Sequence, residues 1–173
     1  MQIRSSRAIA YTSALLAVLF GIVHAAIAPV IIVAGVKPNL ILVAVVLVAA
    51  TFGFSHGIVW AFIGGTVANL LVPAPLGSVP LVLLVVAALV AGGARLIGRF
   101  SYPYPIVAAL AASLVADALS LVIFRLVAEP PQAGIPLDLM LPAAVLNAAI
   151  AGLFVVPVRA VASRVLPEES AAW

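Results

Sequence analysis

The chain has 173 residues, of which 66% are hydrophobic and only 8% charged. A soluble domain carries about a quarter charged residues, so charge cannot cover this surface, and most of it must face lipid or other apolar helices. The net charge of +3 gives no reason to expect a nucleic-acid partner, and without cysteine there is neither a disulfide framework nor a thiolate site. The apolar runs are continuous rather than alternating, which argues against an outer-membrane barrel. The expected class is therefore all-α: a polytopic protein embedded in the lipid bilayer. At about 20 apolar residues per span, the length leaves room for about five to seven helices and almost no soluble domain.

The chain begins with a short basic stretch containing Arg4 and Arg7, followed by an apolar run to about Gly35. Ala26, Ile27 and Ala28 have small residues at the spacing of a signal-peptide cleavage site. The run is too long for an ordinary signal core, however, and Pro29 is a poor residue to follow such a site. The expectation is an uncleaved first span over 8–30. Pro38 suits the first turn of a second, short span over 39–51, whose ends or tilt must absorb its length mismatch with the bilayer. A tight turn from Phe52 to Gly57 leads to span three, 58–72.

Span three is made of small residues around a single amide, Asn69, and stops at Pro73. Two prolines and a glycine in Pro73-Ala74-Pro75-Leu76-Gly77 redirect the chain into span four, 79–97. Tyr102, Pro103, Tyr104 and Pro105 read as an aromatic loop at headgroup level. Span five follows at 106–127. Glu129-Pro130-Pro131 opens the longest polar connection, a stiff exposed loop that is either a partner surface or a plain connector. Span six covers 139–162, with Pro157 kinking its last turns. The whole chain is expected to be one membrane domain, 1–173. Six spans place Arg4, Arg7, Arg95, Arg99, Arg159 and Arg164 on one side, with Lys37 and Arg125 on the other. That bias predicts both termini on the cytoplasmic side.

Few residues could carry function. Asp117 is the only acidic residue deep in a span, where a charge costs ~2.5–3.5 kcal/mol on insertion scales. Ser113 and Ser120 share its helix face. An interhelical hydrogen-bonded contact, within the fold or with a partner, is the expected role; a ligand or ion site is the alternative. Val67-Ala68-Asn69-Leu70-Leu71 and Val115-Ala116-Asp117-Ala118-Leu119 share a pattern, and Asn147 is a third buried amide. These three could meet in one polar core. Ala10, Ala14, Ala17, Gly21, Ala25 and Ala28 recur every three or four residues in span one, forming a smooth face for internal packing or for another protein. His24 reads as a hydrogen-bonded bundle residue, and His56 as a solvated turn residue. Arg125 can snorkel and pair with Glu129. There is no zincin helix, nucleophile elbow, phosphate loop or pair of buried carboxylates, so neither an enzyme nor a cofactor or metal is expected.

Lys37-Pro38-Asn39-Leu40 before span two, the small-residue third span with Asn69, and the Pro75-Leu76-Gly77 turn resemble the rod shape-determining protein family MreD. Asn69 stands where that family usually carries an acidic residue. The resemblance covers nearly the whole chain and implies six transmembrane helices in an arrangement similar to the S-component fold of energy-coupling-factor transporters. It implies a non-enzymatic scaffold of bacterial cell elongation in the cytoplasmic membrane. On that reading the scaffold binds MreC and links MreB filaments to peptidoglycan synthesis, with RodA and a class B penicillin-binding transpeptidase as further candidate partners. The alternative is the substrate-binding S component of a vitamin transporter. Such a component needs several polar and aromatic groups converging near the outer surface, and few are present here.

Overall fold

The computed structural model describes residues 2–33, 35–97, 102–127 and 137–165, with side chains at 11–33, 35–97, 102–127 and 138–165. Among the described residues there are six helices and no strand: α1 (Gln2–Ile27), α2 (Leu40–Phe52), α3 (Phe54–Leu71), α4 (Ser78–Ile97), α5 (Tyr104–Val127) and α6 (Leu137–Val165). By length and composition four of them can cross a membrane: Phe54–Leu71, Ser78–Ile97, Tyr104–Val127 and Asp138–Val165. Tyr11–Ile27 and Leu40–Phe52 are shorter apolar helices. The chain is an all-helical membrane protein.

The bundle is built around α2. A helix that is apolar on every side belongs inside other helices, and residues 41–50 of α2 are all buried. The remaining helices pack in the order α1, α3, α4, α5, α6 around it, each touching α2, while among the described residues α1 and α6 do not touch each other. This placement explains why α2 can be short. Thirteen residues span only about 20 Å at 1.5 Å per residue, well under a ~30 Å hydrocarbon core. A helix enclosed by protein need not match the bilayer by itself.

Several helix ends differ from the expected spans. Span one was expected to reach residue 30, but α1 ends at Ile27, ahead of Pro29, in a turn closed by the Val30 and Ile31 amides on the Ile27 carbonyl. Val33 and Val36 then exchange backbone hydrogen bonds of 2.9 and 3.0 Å within this non-helical stretch. Pro38 is not in the first turn of α2; Asn39 is the cap and Leu40 the first helical residue. The expected turn from Phe52 to Gly57 shrinks to Gly53, whose φ of 90° reverses the chain in one residue. His56 therefore lies in the first turn of α3, its ring centroid 5.9 Å from that of Phe52. Tyr104 and Pro105 belong to α5 rather than to a loop, because the Tyr104 hydroxyl donates to the Val90 carbonyl of α4 and buries the ring. The sixth helix is longer than expected and contains both Pro142 and Pro157. The Glu129-Pro130-Pro131 loop, and with it Arg125's expected partner Glu129, lies outside the described residues, as does Arg99.

Small residues set the tightest approaches. A Cβ on Gly57 would lie 2.7 Å from the Ala49 side chain of α2, and one on Gly65 would lie 2.9 Å from the Pro80 backbone of α4. These glycines let α3 lie against α2 on one side and α4 on another.

Candidate functional site

The most connected polar group is at the start of α2. Asn39 caps that helix, its side chain accepting the Leu42 amide at 3.2 Å. Its own backbone N–H donates to Asn147 Oδ1 of α6 at 2.8 Å. Asn147 Nδ2 donates to Ser113 Oγ of α5 at 3.0 Å, and Ser113 Oγ donates to the Ala109 carbonyl at 2.8 Å. Ser113 and Asn147 are almost fully buried. One amide thus joins α2, α5 and α6 at a point where an irregular backbone is tolerated only because protein surrounds it. Asn39 escaped notice as a functional residue. The signal was present: an Asn directly before an apolar run is a helix N-cap pattern.

Asn69 does something different. Its Oδ1 accepts the Gly77 amide at 2.7 Å, and its Nδ2 reaches the Ala74 carbonyl at 3.4 Å. Ser78 closes the same turn, its hydroxyl donating to the Pro75 carbonyl at 2.6 Å. Gly77 supplies the positive φ of 83° that lets the chain turn into α4. The three polar residues that could have met in one core therefore do not. Among the described residues, α3 packs on α1, α2 and α4 and touches neither α5 nor α6, so Asn69 is remote from Asp117 and Asn147. The shared sequence pattern specified a helix face but not the neighbour facing it. An acidic side chain at position 69 could still accept the Gly77 amide, so Asn69→Asp should keep the turn. Asn69→Ala should lower stability by about 1–3 kcal/mol, the cost of leaving a part-buried amide without its acceptor. Thermal unfolding of the two variants in detergent checks this.

Asp117 and Ser120 are half-buried on α5, and neither has a hydrogen-bond or ion-pair partner among the described residues. His24, expected to be hydrogen-bonded, has a buried Nδ1 without a partner.

The small-residue face of α1 is turned inward. Ala17 is fully buried, and Gly21 packs where a Cβ would lie 2.7 Å from the Gly64 carbonyl oxygen of α3. Gly64 in turn lies against the Ala17 backbone and the Ile41 side chain. Trp60 Nε1 donates to Ser13 Oγ at 2.9 Å, and the Phe20 and Trp60 rings meet at 5.5 Å. Of the two readings of this face, internal packing is what Ala17 and Gly21 do. Ala28 is buried, Ala14 and Ala25 are half-buried, and the Ala10 side chain lies outside the described residues.

The family described as rod shape-determining protein MreD matches residues 5–165. The chain belongs to the MreD family. No curated relative and no solved structure matches. The MreD match runs from within α1 to the last residue of α6, so it covers Asn39, the Asn69 turn and the Asn147 junction together. MreD membership supports a role in rod-shape determination and, with the apolar helices, a place in the membrane.

Proposed function

We propose that the protein is a non-enzymatic scaffold of the bacterial cell-elongation machinery, seated in the cytoplasmic membrane by six spans with both termini inside the cell. It binds MreC and connects MreB filaments to peptidoglycan synthesis, in the company of RodA and a class B penicillin-binding transpeptidase. The observation that carries this reading is the match to the shape-determining family over residues 5–165. The use of the polar side chains supports it: Asn39, Asn69, Ser113 and Asn147 are spent on helix caps, a turn and an interhelical junction.

The six-span topology has its own support. Because α2 is enclosed by the other helices, its 13 residues are no obstacle to counting it as a span. Arg159 of α6 stacks over Tyr102 at 4.7 Å, consistent with the end of α6 and the start of α5 lying on one side of the membrane. Arg95 and Arg164 close α4 and α6 at that same end, as the positive-inside rule requires of a cytoplasmic face.

Depleting the protein from its own bacterium should convert rods to rounded cells, and a copy supplied in trans should restore them. Rods of unchanged width after complete depletion would contradict the proposal.

A further inference from the structure

Asp117 occupies the middle of α5, and lipid tails offer a carboxyl group no donor. Leu110 and Phe124, one heptad before and after it on the same stripe, are each 38% exposed. That stripe therefore opens sideways from the bundle. Ser120, three residues on, likewise has no partner among the described residues. The wall beside it is α6. Ser113 pairs with Asn147, and Ile106 lies beside Gly152, so α5 and α6 run antiparallel. One turn outward, this register brings Asp117 to the level of Pro142 and Ala143. Ala144, the next residue, is 1% exposed, and Leu141 and Val145 beside it on the helix are 54% and 60% exposed. A small residue at the floor of such a seam allows another helix to approach closely.

We propose that Asp117, assisted by Ser120, is an intramembrane docking point for a transmembrane helix of another protein that carries a hydrogen-bond-donating side chain at mid-depth. The donor is an amide or an ammonium. Acceptor chemistry favours this occupant over a second copy, whose stripe brings another carboxyl that must take up a proton to pair, and over an all-apolar helix, which leaves the acceptor as unsatisfied as lipid does. The biological purpose of the site rests on the scaffold reading above, but its chemistry can be tested without it.

The full-length protein is placed in phosphatidylcholine–phosphatidylglycerol vesicles with labelled synthetic transmembrane peptides, and association is read by energy transfer. The peptides share a Leu/Ala host and differ only at the central residue, which is Gln, Lys or Leu. The Gln and Lys peptides should bind roughly three- to thirtyfold more tightly than the Leu peptide. Asp117→Leu should abolish that preference without lowering the unfolding temperature, while Asp117→Asn should keep the preference for Gln and lose the preference for Lys. Equal binding of all three peptides would overturn the proposal, as would a preference that survives Asp117→Leu. Self-association of the chain that Asp117→Leu abolishes would also overturn it. Rods that persist after depletion would sink the scaffold reading but leave the peptide preference standing. Loss of the preference alone would remove this docking point and leave the shape role in place.

Discussion

Replacing Gly21 by leucine should force α1 away from α3. At this position even a Cβ would lie 2.7 Å from the Gly64 carbonyl oxygen and 2.9 Å from the Val67 side chain. Backbone on the far side cannot rotate aside as a side chain can, so the added carbons must separate the helices. Overpacking of this kind costs about 1–3 kcal/mol, and the upper part of that range applies where backbone is the obstacle. Among the described residues, α1 has outside α3 only its lesser packing on α2 to hold it. Trp60 reports the event, because its ring lies against Phe20 and its Nε1 donates to Ser13, both on α1. In a Trp173→Phe background, Gly21→Leu should change Trp60 emission and lower the unfolding temperature. Leu15→Ala, at a side chain 69% exposed, should do neither. Unchanged emission in Gly21→Leu would mean that α1 does not depend on this contact.

Asn147→Leu should give the second large loss. The substitution keeps a similar volume but removes the acceptor for the Asn39 backbone N–H, which donates to nothing else among the described residues. An orphaned donor of this kind costs about 1–3 kcal/mol. Interhelical side-chain hydrogen bonds in membranes average only about 0.6 kcal/mol, because unfolded helices in lipid find other partners. The larger figure is expected here because the donor is a backbone group rather than a side chain, and the acceptor that Asn147 supplies is almost fully buried. Ser113 suffers less, since its hydroxyl still donates to Ala109. Asn147→Asp retains an acceptor for Asn39 and should fall between wild type and Asn147→Leu in a detergent unfolding titration. Equal stability of Asn147→Leu and wild type would show that the junction does not hold α2 in place.

Much of this architecture was legible in the sequence because glycine and proline act locally. Pro29, Gly53, Pro73 and Gly77 each end or turn a helix through their own backbone chemistry, and the helix ends fall within a few residues of them. The central position of α2 was half legible. A short run that is apolar on every side signals enclosure, but the same shortness also reads as a span strained against the bilayer. The Asn39–Asn147 bond was not legible, because it joins residues 108 apart in sequence. It depends on how α2, α5 and α6 pack together, which no local pattern encodes. The matching surroundings of Asn69 and Asp117 misled for the same reason: each sequence gives a polar face, and packing assigns one to a turn and leaves the other on the flank of the bundle.

The scaffold role is tested most directly by gentle-detergent isolation of the tagged protein from its native membrane, with the co-purified proteins identified by mass spectrometry. The account predicts recovery of a single-span coiled-coil protein together with an elongation transpeptidase or filament components. Recovery of a transmembrane coupling subunit with two ATPases would contradict it and make the chain the substrate-binding part of a transporter.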